Sequence, residues 1–92
     1  MQNVIDLYKQ LEEMGDAIVD YINGAGKLRY AVVTVDFTTP YVAARMASKV
    51  NEDVIDAQGR LMVFSWDADK PIRIAPGQIK KITALSSILQ NA

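Results

Sequence analysis

The side chains that could do chemistry in this sequence are carboxylates, lysines, arginines, tyrosines and hydroxyls. The 92 residues contain no histidine and no cysteine. This removes Ser-His and Cys-His nucleophiles, imidazole and thiolate metal ligands, and the side chain best suited to proton transfer near neutral pH. We therefore expect a protein without enzyme activity and without a small-molecule substrate.

The densest group of carboxylates is Glu52, Asp53 and Asp56, in the stretch NEDVIDAQG. Its spacing does not place oxygens at alternate positions before a glycine, as a calcium-binding loop does. A solvated loop is the favoured interpretation, so the sequence predicts no metal site and no cofactor. Gly24 and Gly26 precede a predicted strand instead of following one, and they do not form a phosphate-binding fingerprint.

The basic residues are better candidates for a functional site than the carboxylates, because they can contact nucleic acid. Lys80 and Lys81 are adjacent in the segment PIRIAPGQIKKITAL, with Arg73 just upstream and Lys49 in an earlier segment. Basic side chains held on strands can contact phosphates, and the affinity gained in this way falls with salt. Lysine on an exposed strand edge also prevents unwanted strand pairing, and that interpretation stays open. The aromatic side chains that could stack on bases are Tyr8, Tyr21, Tyr30, Tyr41 and Trp66.

The charges are unevenly distributed although the net charge is only −1. Residues 3–22 carry five acidic side chains and one basic, whereas residues 23–92 carry nine basic and six acidic. Such a chain can present its basic part to an anionic partner, or both parts can simply be solvated. The length indicates a single domain over residues 1–92. The charged N-terminal residues and the absence of a long apolar run predict a cytoplasmic protein with no membrane partner.

The N-terminal segment has the period of an amphipathic helix, and we predict a helix over residues 3–23. Asn3 is the predicted N-cap, and NGAGK at 23–27 the predicted helix stop. The apolar residues that recur at spacings of three and four are Val4, Leu7, Leu11, Met14, Ile18 and Ile22.

Three segments have the composition of strands. LRYAVVTVDF at 28–37 is rich in β-branched and aromatic residues and apolar on both faces, so we expect cover on both sides. GRLMVFSW at 59–66 and IRIA at 72–75 are predicted to pair as a hairpin across the turn DADKP. Residues 41–50 are ambiguous: Thr39 and Pro40 favour a helix start, whereas the alternation of Val42, Ala44 and Met46 favours a strand.

The order of these elements, followed by IRIAPGQIKKITAL, resembles the Sm-like (LSm) family, which includes bacterial Hfq. The second motif of that family reads approximately I-R-G-x-x-I-x-x-I, and Ile74, Ile79 and Ile82 match its apolar positions. The resemblance is to a divergent, phage-type member. The Arg-Gly pair of the family falls on Ala75 and Pro76, and the Asp and Asn of its first motif are present only in reversed order, as Asn51 and Asp53.

The resemblance implies a mainly β protein with an N-terminal helix, a strongly bent five-stranded barrel at 27–85 and a short tail at 86–92. It makes segment 41–50 a long bent strand. It also implies that copies of the chain close into a ring of five to seven subunits, because the edge before Pro76 pairs with the edge after Gly77 of the next copy. The residues expected at that subunit interface are Ile72, Ile74, Ile79 and Ile82. RNA is the candidate partner, at Arg73, Lys80, Lys81, Lys49 and Asn51.

A second interpretation stays open beside this one. It is a two-layer α+β fold with helices at 40–50 and 79–90, acting as an adaptor that binds another protein through its acidic N-terminal helix.

Overall fold

The computed structural model describes residues 3–90 of the chain, and the side chains of residues 3–88. These residues form an α+β fold built on a five-stranded antiparallel open sheet. The helices are α1 (Val4–Met14), α2 (Pro40–Met46) and α3 (Leu85–Gln90). The strands are β1 (Asp16–Ile22), β2 (Leu28–Thr34), β3 (Leu61–Ser65), β4 (Lys70–Ile74) and β5 (Ile79–Ala84), in the sheet order β4-β3-β2-β1-β5.

Helix α1 is much shorter than the helix predicted at 3–23. Asn3 caps its start as predicted, since Asn3 Oδ1 accepts the N–H of Asp6 at 2.8 Å. Gly15 ends it, because its N–H donates to the Leu11 carbonyl at 3.1 Å and its φ is 75°, a conformation that glycine adopts without strain. The prediction that this helix reaches residue 23 is therefore wrong.

Residues 16–22 form a strand because their apolar side chains also alternate. Ala17 and Val19 are fully buried on one face, whereas Ile18 and Ile22 lie on the other and are half-buried. The same isoleucines satisfy a helical period, so the sequence pattern alone does not separate the two structures. Pairing with β2 on one side and β5 on the other decides for the strand.

The stretch NGAGK is a hairpin turn between β1 and β2 and not a helix stop. Asn23 Oδ1 accepts the N–H groups of Ala25 at 2.9 Å and Lys27 at 3.0 Å, so one side chain organises the turn. The barrel predicted at 27–85 consequently starts too late, since the first strand of the sheet precedes this turn.

Strand β2 begins at residue 28 as predicted and ends at 34, three residues early. Its two predicted faces are confirmed: Ala31 and Val33 are buried together, and Leu28 and Tyr30 share the opposite face. The expectation of cover on both sides is wrong near the turn, where Leu28 is 64% and Tyr30 is 68% exposed.

Segment 41–50 is helical, as its local chemistry favours and contrary to the bent strand that the family resemblance implies. Helix α2 starts at Pro40, with the Ala43 N–H donating to the Thr39 carbonyl at 2.8 Å, and continues as a 3-10 turn at Ala47–Lys49. Val42 and Met46, one helical turn apart, are both buried. The four-residue spacing of these apolar side chains therefore outweighs the alternation that favours a strand.

The predicted hairpin of 59–66 with 72–75 is confirmed as β3 and β4. Segment 79–90 divides: residues 79–84 form β5, and α3 begins only at residue 85. The helix at 79–90 in the alternative fold is therefore wrong over its first half. The predicted tail at 86–92 falls largely within α3, and its last two residues lie outside the described part of the chain.

Apolar side chains form one cluster on each face of the sheet. On the inner face, α1 packs against the strands in a cluster of Leu7, Leu11, Ala17, Val19, Ala31, Val33, Val35, Leu61, Val63 and Ile74. On the outer face, α2 packs against β3 in a cluster of Val42, Met46, Met62 and Phe64. Strand β3 contributes to both clusters because its side chains alternate between the two faces.

Candidate functional site

Arg73 is occupied within the chain. Its Nη2 donates to the Asp53 carbonyl at 2.8 Å, and the same atom lies 3.4 Å from Glu52 Oε1. Its Nη1 lies 3.9 Å from Asp56 Oδ2. The guanidinium thus ties the loop at 52–56 to edge strand β4, and only 20% of the side chain is exposed. Of the candidate phosphate contacts, this one is the least available.

Lys49 and Asn51 lie in the same region but do not offer a free cation. Lys49 Nζ pairs with Glu52 Oε2 at 3.1 Å, and Asn51 is exposed in a turn. The hydrogen bond from Lys49, followed by that from Arg73, lowers the pKa of Glu52 below its ordinary value. The carboxylate therefore stays charged at neutral pH and neutralises both cations.

Lys80 and Lys81 differ from these residues because both are exposed and neither belongs to an ion pair among residues 3–90. They lie on β5, at the opposite border of the sheet order from Arg73 on β4. Lys81 is opposite Asp20 of β1, and Lys80 is the extra residue of a β-bulge before Ile79 pairs with Tyr21. The structure thus separates the predicted basic residues into two groups.

The four isoleucines expected at a subunit interface point towards the core of their own chain. Ile74 is 2% exposed and belongs to the inner cluster. Ile72, Ile79 and Ile82 are half-buried and pack against the same cluster. A neighbouring copy could therefore contact the partly exposed side chains at the sheet borders and the backbone beside them, whereas the Ile74 side chain is already enclosed.

An aromatic cluster on the outer face was not predicted as a unit. Tyr41 of α2 stacks on Trp66, with ring centroids 5.9 Å apart, and Phe64 meets Trp66 edge-on at 5.1 Å. The Arg45 guanidinium lies 3.4 Å from the centre of the Tyr41 ring. Trp66 Nε1 donates to Asp16 Oδ1 at 2.9 Å. The contributing residues come from three separate places in the sequence, so no local pattern signals the cluster.

Asp69 holds the exposed side of this cluster in place. Its Oδ1 accepts hydrogen bonds from the Tyr41 hydroxyl at 2.6 Å and from Arg45 Nε at 2.7 Å. The hydrogen bond to Asp69 raises the pKa of Tyr41, and the same bond, followed by that from Arg45, lowers the pKa of Asp69. Both groups therefore keep the forms that make this contact throughout the neutral range.

A cleft of about 300 Å³ lies between the end of α1 and the segment after β2. Within it, burial raises the pKa of Tyr8, with the nearby Glu12 carboxylate as the next cause. Two hydrogen bonds from Thr38 lower the pKa of Asp36. The cleft therefore holds the protonated Tyr8 phenol and the charged Asp36 carboxylate. It is lined by Tyr8, Leu11, Glu12, Gly15, Val35, Asp36, Phe37 and Thr38.

Two features are absent from the described part of the chain: a cluster of metal ligands and a membrane-spanning helix. Residues 3–90 contain no group of three or more acidic side chains arranged to hold a metal ion. Within the same residues, no helix is long and apolar enough to cross a membrane.

Comparisons of the chain with protein-family models, with curated proteins and with solved structures found no match. The candidate sites therefore rest on the geometry described above. Lys80 and Lys81 on β5, and the two border strands β4 and β5, are the features from which a function can be argued.

Proposed function

We propose that this chain is a non-enzymatic, Sm-like module that assembles with copies of itself through its two sheet edges, with RNA as its candidate ligand. The observation that carries the proposal is the strand order β4-β3-β2-β1-β5. A ring of the Sm-like kind requires the strands before and after Pro76 to be the two border strands. Strands β4 and β5 hold those positions, and the 3-10 turn at Pro76–Gln78 joins them.

Backbone groups on both borders are oriented for such pairing. Met62 donates its N–H to the Val54 carbonyl, on the side of β3 away from β4. Since orientation alternates along an antiparallel ladder, Arg73, opposite Met62, directs its backbone N–H and carbonyl outwards. The same alternation applies to β1, where the Asn23 N–H donates to the Lys27 carbonyl, so the odd-numbered residues of β1 bond to β2 and the even-numbered ones to β5. Ile82 and Ala84 are opposite odd-numbered residues of β1, and they therefore direct their backbone N–H and carbonyl groups outwards from β5. Each border thus offers donors and acceptors to a neighbouring copy.

Edge pairing can be tested with Ala84→Pro, which removes an outward N–H without removing a bond of the β1–β5 ladder. We expect native mass spectrometry to give five to seven copies of the 10.2 kDa chain for the natural sequence and smaller species for the variant. Circular dichroism should be unchanged. Ala57→Pro, in an exposed turn outside both edge strands, is the control and should keep the assembly. A natural chain that is monomeric at micromolar concentration contradicts the proposal.

RNA binding depends on Lys80 and Lys81 in this proposal. The double change Lys80→Glu with Lys81→Glu should abolish retention on an RNA column while the assembly stays intact. For a single-stranded ligand, the loss of two phosphate contacts should also reduce the slope of log K against log salt by about 1.4. The matched control is Lys27→Glu with Lys70→Glu, which makes the same charge change at two other exposed lysines. Equal loss in both variants, or in neither, contradicts a specific role for β5.

A second candidate function is a protein adaptor that uses the acidic helix α1. It is favoured by Asp6 and Glu13, which are exposed on α1 and take part in no ion pair within residues 3–90. This function requires a monomer that binds a basic peptide such as oligolysine. Asp6→Lys with Glu13→Lys should remove that binding. A natural chain that assembles and does not bind the peptide excludes the adaptor function.

A further inference from the structure

The outer face of the sheet carries exposed apolar side chains beside the part that α2 covers. We define the hairpin face as Ile18 and Ile22 of β1 with Leu28, Tyr30 and Val32 of β2. The register pairs Ile18 with Val32 and Ile22 with Leu28, so all five side chains share one face. Leu28 and Tyr30 are 64% and 68% exposed. Two large apolar side chains are thus in contact with water on this face, beside three that are half-buried.

A row of polar groups crosses the hairpin face perpendicular to the strands. Lys81 of β5 is opposite Asp20 of β1, and Asp20 is opposite Tyr30 of β2. From β5 towards β2 the row therefore reads ammonium, carboxylate, hydroxyl. Asp67 lies off this row on the far side of β2, since its Oδ1 accepts the Val32 N–H at 3.0 Å and the Ser65 hydroxyl at 2.9 Å. Neither Lys81 nor Asp20 belongs to an ion pair among residues 3–90, although the two are opposite each other.

We propose that two copies of the chain stack their hairpin faces about a two-fold axis that runs along the strands, between β1 and β2. This symmetry places β1 of one copy over β2 of the second. Ile18 then meets Val32 of the second copy, and Ile22 meets its Leu28. The apolar side chains of the two copies pack against one another as in a two-sheet sandwich, where sheets pack about 10 Å apart.

The polar row is complementary to itself under the same symmetry. When the row is reversed, the Tyr30 hydroxyl donates to the Asp20 carboxylate of the second copy. The symmetry forms this hydrogen bond twice, once in each direction.

A second copy of the chain fits this face better than a polyanion does. The apolar side chains of β1 and β2 and the Asp20 carboxylate offer no contact to a phosphate, whereas Lys81 lies at the β5 border beside them. A second copy covers the apolar side chains and gives the Asp20 carboxylate a hydrogen-bond donor.

The size of the face indicates a weak dimer. Residues 28–32 across three or four strands span about 250 to 300 Å² of sheet plane, taking about 3.3 Å per residue and about 4.8 Å per strand. Stable interfaces bury about 800 Å² on each partner. We therefore expect self-association that depends on concentration, with dissociation constants on the order of 100 μM.

Sedimentation velocity from about 10 μM to about 1 mM brackets this affinity and tests the pairing. Leu28→Glu buries a charge in the interface and should abolish the doubling of mass. Tyr30→Phe removes only the hydroxyl and should weaken pairing by up to about tenfold. The matched control is Val50→Glu, the same chemical change at a residue that is 78% exposed and outside the face. It should associate like the natural chain.

Cross-linking tests the face-to-face contact, because the chain has no cysteine of its own. A mixture of Asp20→Cys and Tyr30→Cys chains, treated with a bismaleimide of about 10 Å reach, should give abundant cross-linked dimer, since the sheet separation brings these positions of the two copies within reach. Val50→Cys should give none. Products no more abundant than those of Val50→Cys overturn the inference.

These outcomes are separable from those of edge assembly, on which this inference does not depend. Ala84→Pro should leave a two-copy species that Leu28→Glu dissociates. Leu28→Glu alone should leave the edge-linked assembly of five to seven copies at every concentration. If Ala84→Pro is monomeric at about 1 mM while the natural chain still assembles, the face pairing is wrong and the edge proposal stands. If Ala84→Pro does not fold, the cross-linking result decides.

Discussion

At the scale of single residues, several carboxylates fix the positions of other side chains. Asp69 accepts from Tyr41 and Arg45, Asp16 accepts from Trp66, and Asp56 accepts from the backbone and Nε of Arg60. Each of these carboxylates lies near the end of a strand or in a turn, where it positions a neighbouring element. They act as structural anchors.

The Tyr41–Asp69 contact gives a residue-scale prediction. Asp69→Asn should lower the pKa of Tyr41 towards the ordinary tyrosine value of about 10, because the hydrogen bond to a carboxylate is what raises it. Phenolate absorbance during alkaline titration measures the change, and Tyr41→Phe identifies the step that belongs to Tyr41. Asp53→Asn changes an exposed aspartate in the loop at 52–56, whose backbone carbonyl accepts from Arg73, and should leave the step unmoved.

The sign of the accompanying stability change follows from the direction of each shift. The pKa of Tyr41 is raised in the folded chain, so its contribution is complete below the ordinary tyrosine value and is lost as pH rises through the raised value. The pKa of Asp69 is lowered, so its contribution is present above the ordinary aspartate value and is lost as pH falls. An Asp69→Asn chain with an unchanged Tyr41 titration contradicts this account.

At the scale of elements, Gly15 decides where the first helix ends. Its φ of 75° strains any side chain, while the space around it is open, with no atom within 4 Å of an added Cβ. The strain of a substitution there is therefore entirely in the backbone.

We expect Gly15→Ala to lower the free energy of unfolding by about 1 kcal/mol, since the left-handed conformation costs a residue with a Cβ more than the gain from a stiffer unfolded chain. Urea denaturation measures the change. Gly77→Ala is the control, because Gly77 is equally open but lacks a positive φ. It should leave stability unchanged or raise it by up to about 1 kcal/mol. Equal effects of the two substitutions contradict the role assigned to Gly15.

The elements also show how much of the secondary structure can be predicted from the local sequence pattern. The Asn3 cap, the start of β2, the β3–β4 hairpin and the helix at Pro40 follow from local chemistry, and the structure confirms them. Residues 16–22 do not, because Ile18 and Ile22 fit a helical period and a strand period equally. The choice between the two depends on hydrogen bonds to β2 and β5, which are distant in sequence and which no local window contains.

At the scale of the whole molecule, β3 joins the two apolar clusters. Leu61 and Val63 pack with α1 on the inner face, while Met62 and Phe64 pack with α2 on the outer face. If β3 leaves the sheet, both clusters are exposed to water. We therefore expect the described fold to unfold as one unit.

Leu7→Ala tests this coupling, because Leu7 is 1% exposed on the inner face, whereas Trp66 reports on the outer face. The substitution should lower the free energy of unfolding by about 3 kcal/mol. Trp66 fluorescence and far-ultraviolet circular dichroism should shift to the same urea midpoint. Ile5→Ala, on the same helix but 55% exposed, should change stability by less than about 0.5 kcal/mol. A Trp66 transition that stays in place while the dichroism shifts contradicts a single cooperative unit.

The sequence by itself determined the absence of imidazole and thiol chemistry, the Asn3 helix cap, the turn between β3 and β4, and the alternation that gives β2 and β3 two distinct faces. These depend on residue type and on neighbours a few positions away. Only the tertiary structure decided that β4 and β5 form the borders of the sheet, that Arg73 is occupied while Lys80 and Lys81 take part in no ion pair among residues 3–90, and that Tyr30, Asp20 and Lys81 form one row. Each of these depends on which distant strands pair and in which register, and pairing is set by the burial of the whole core.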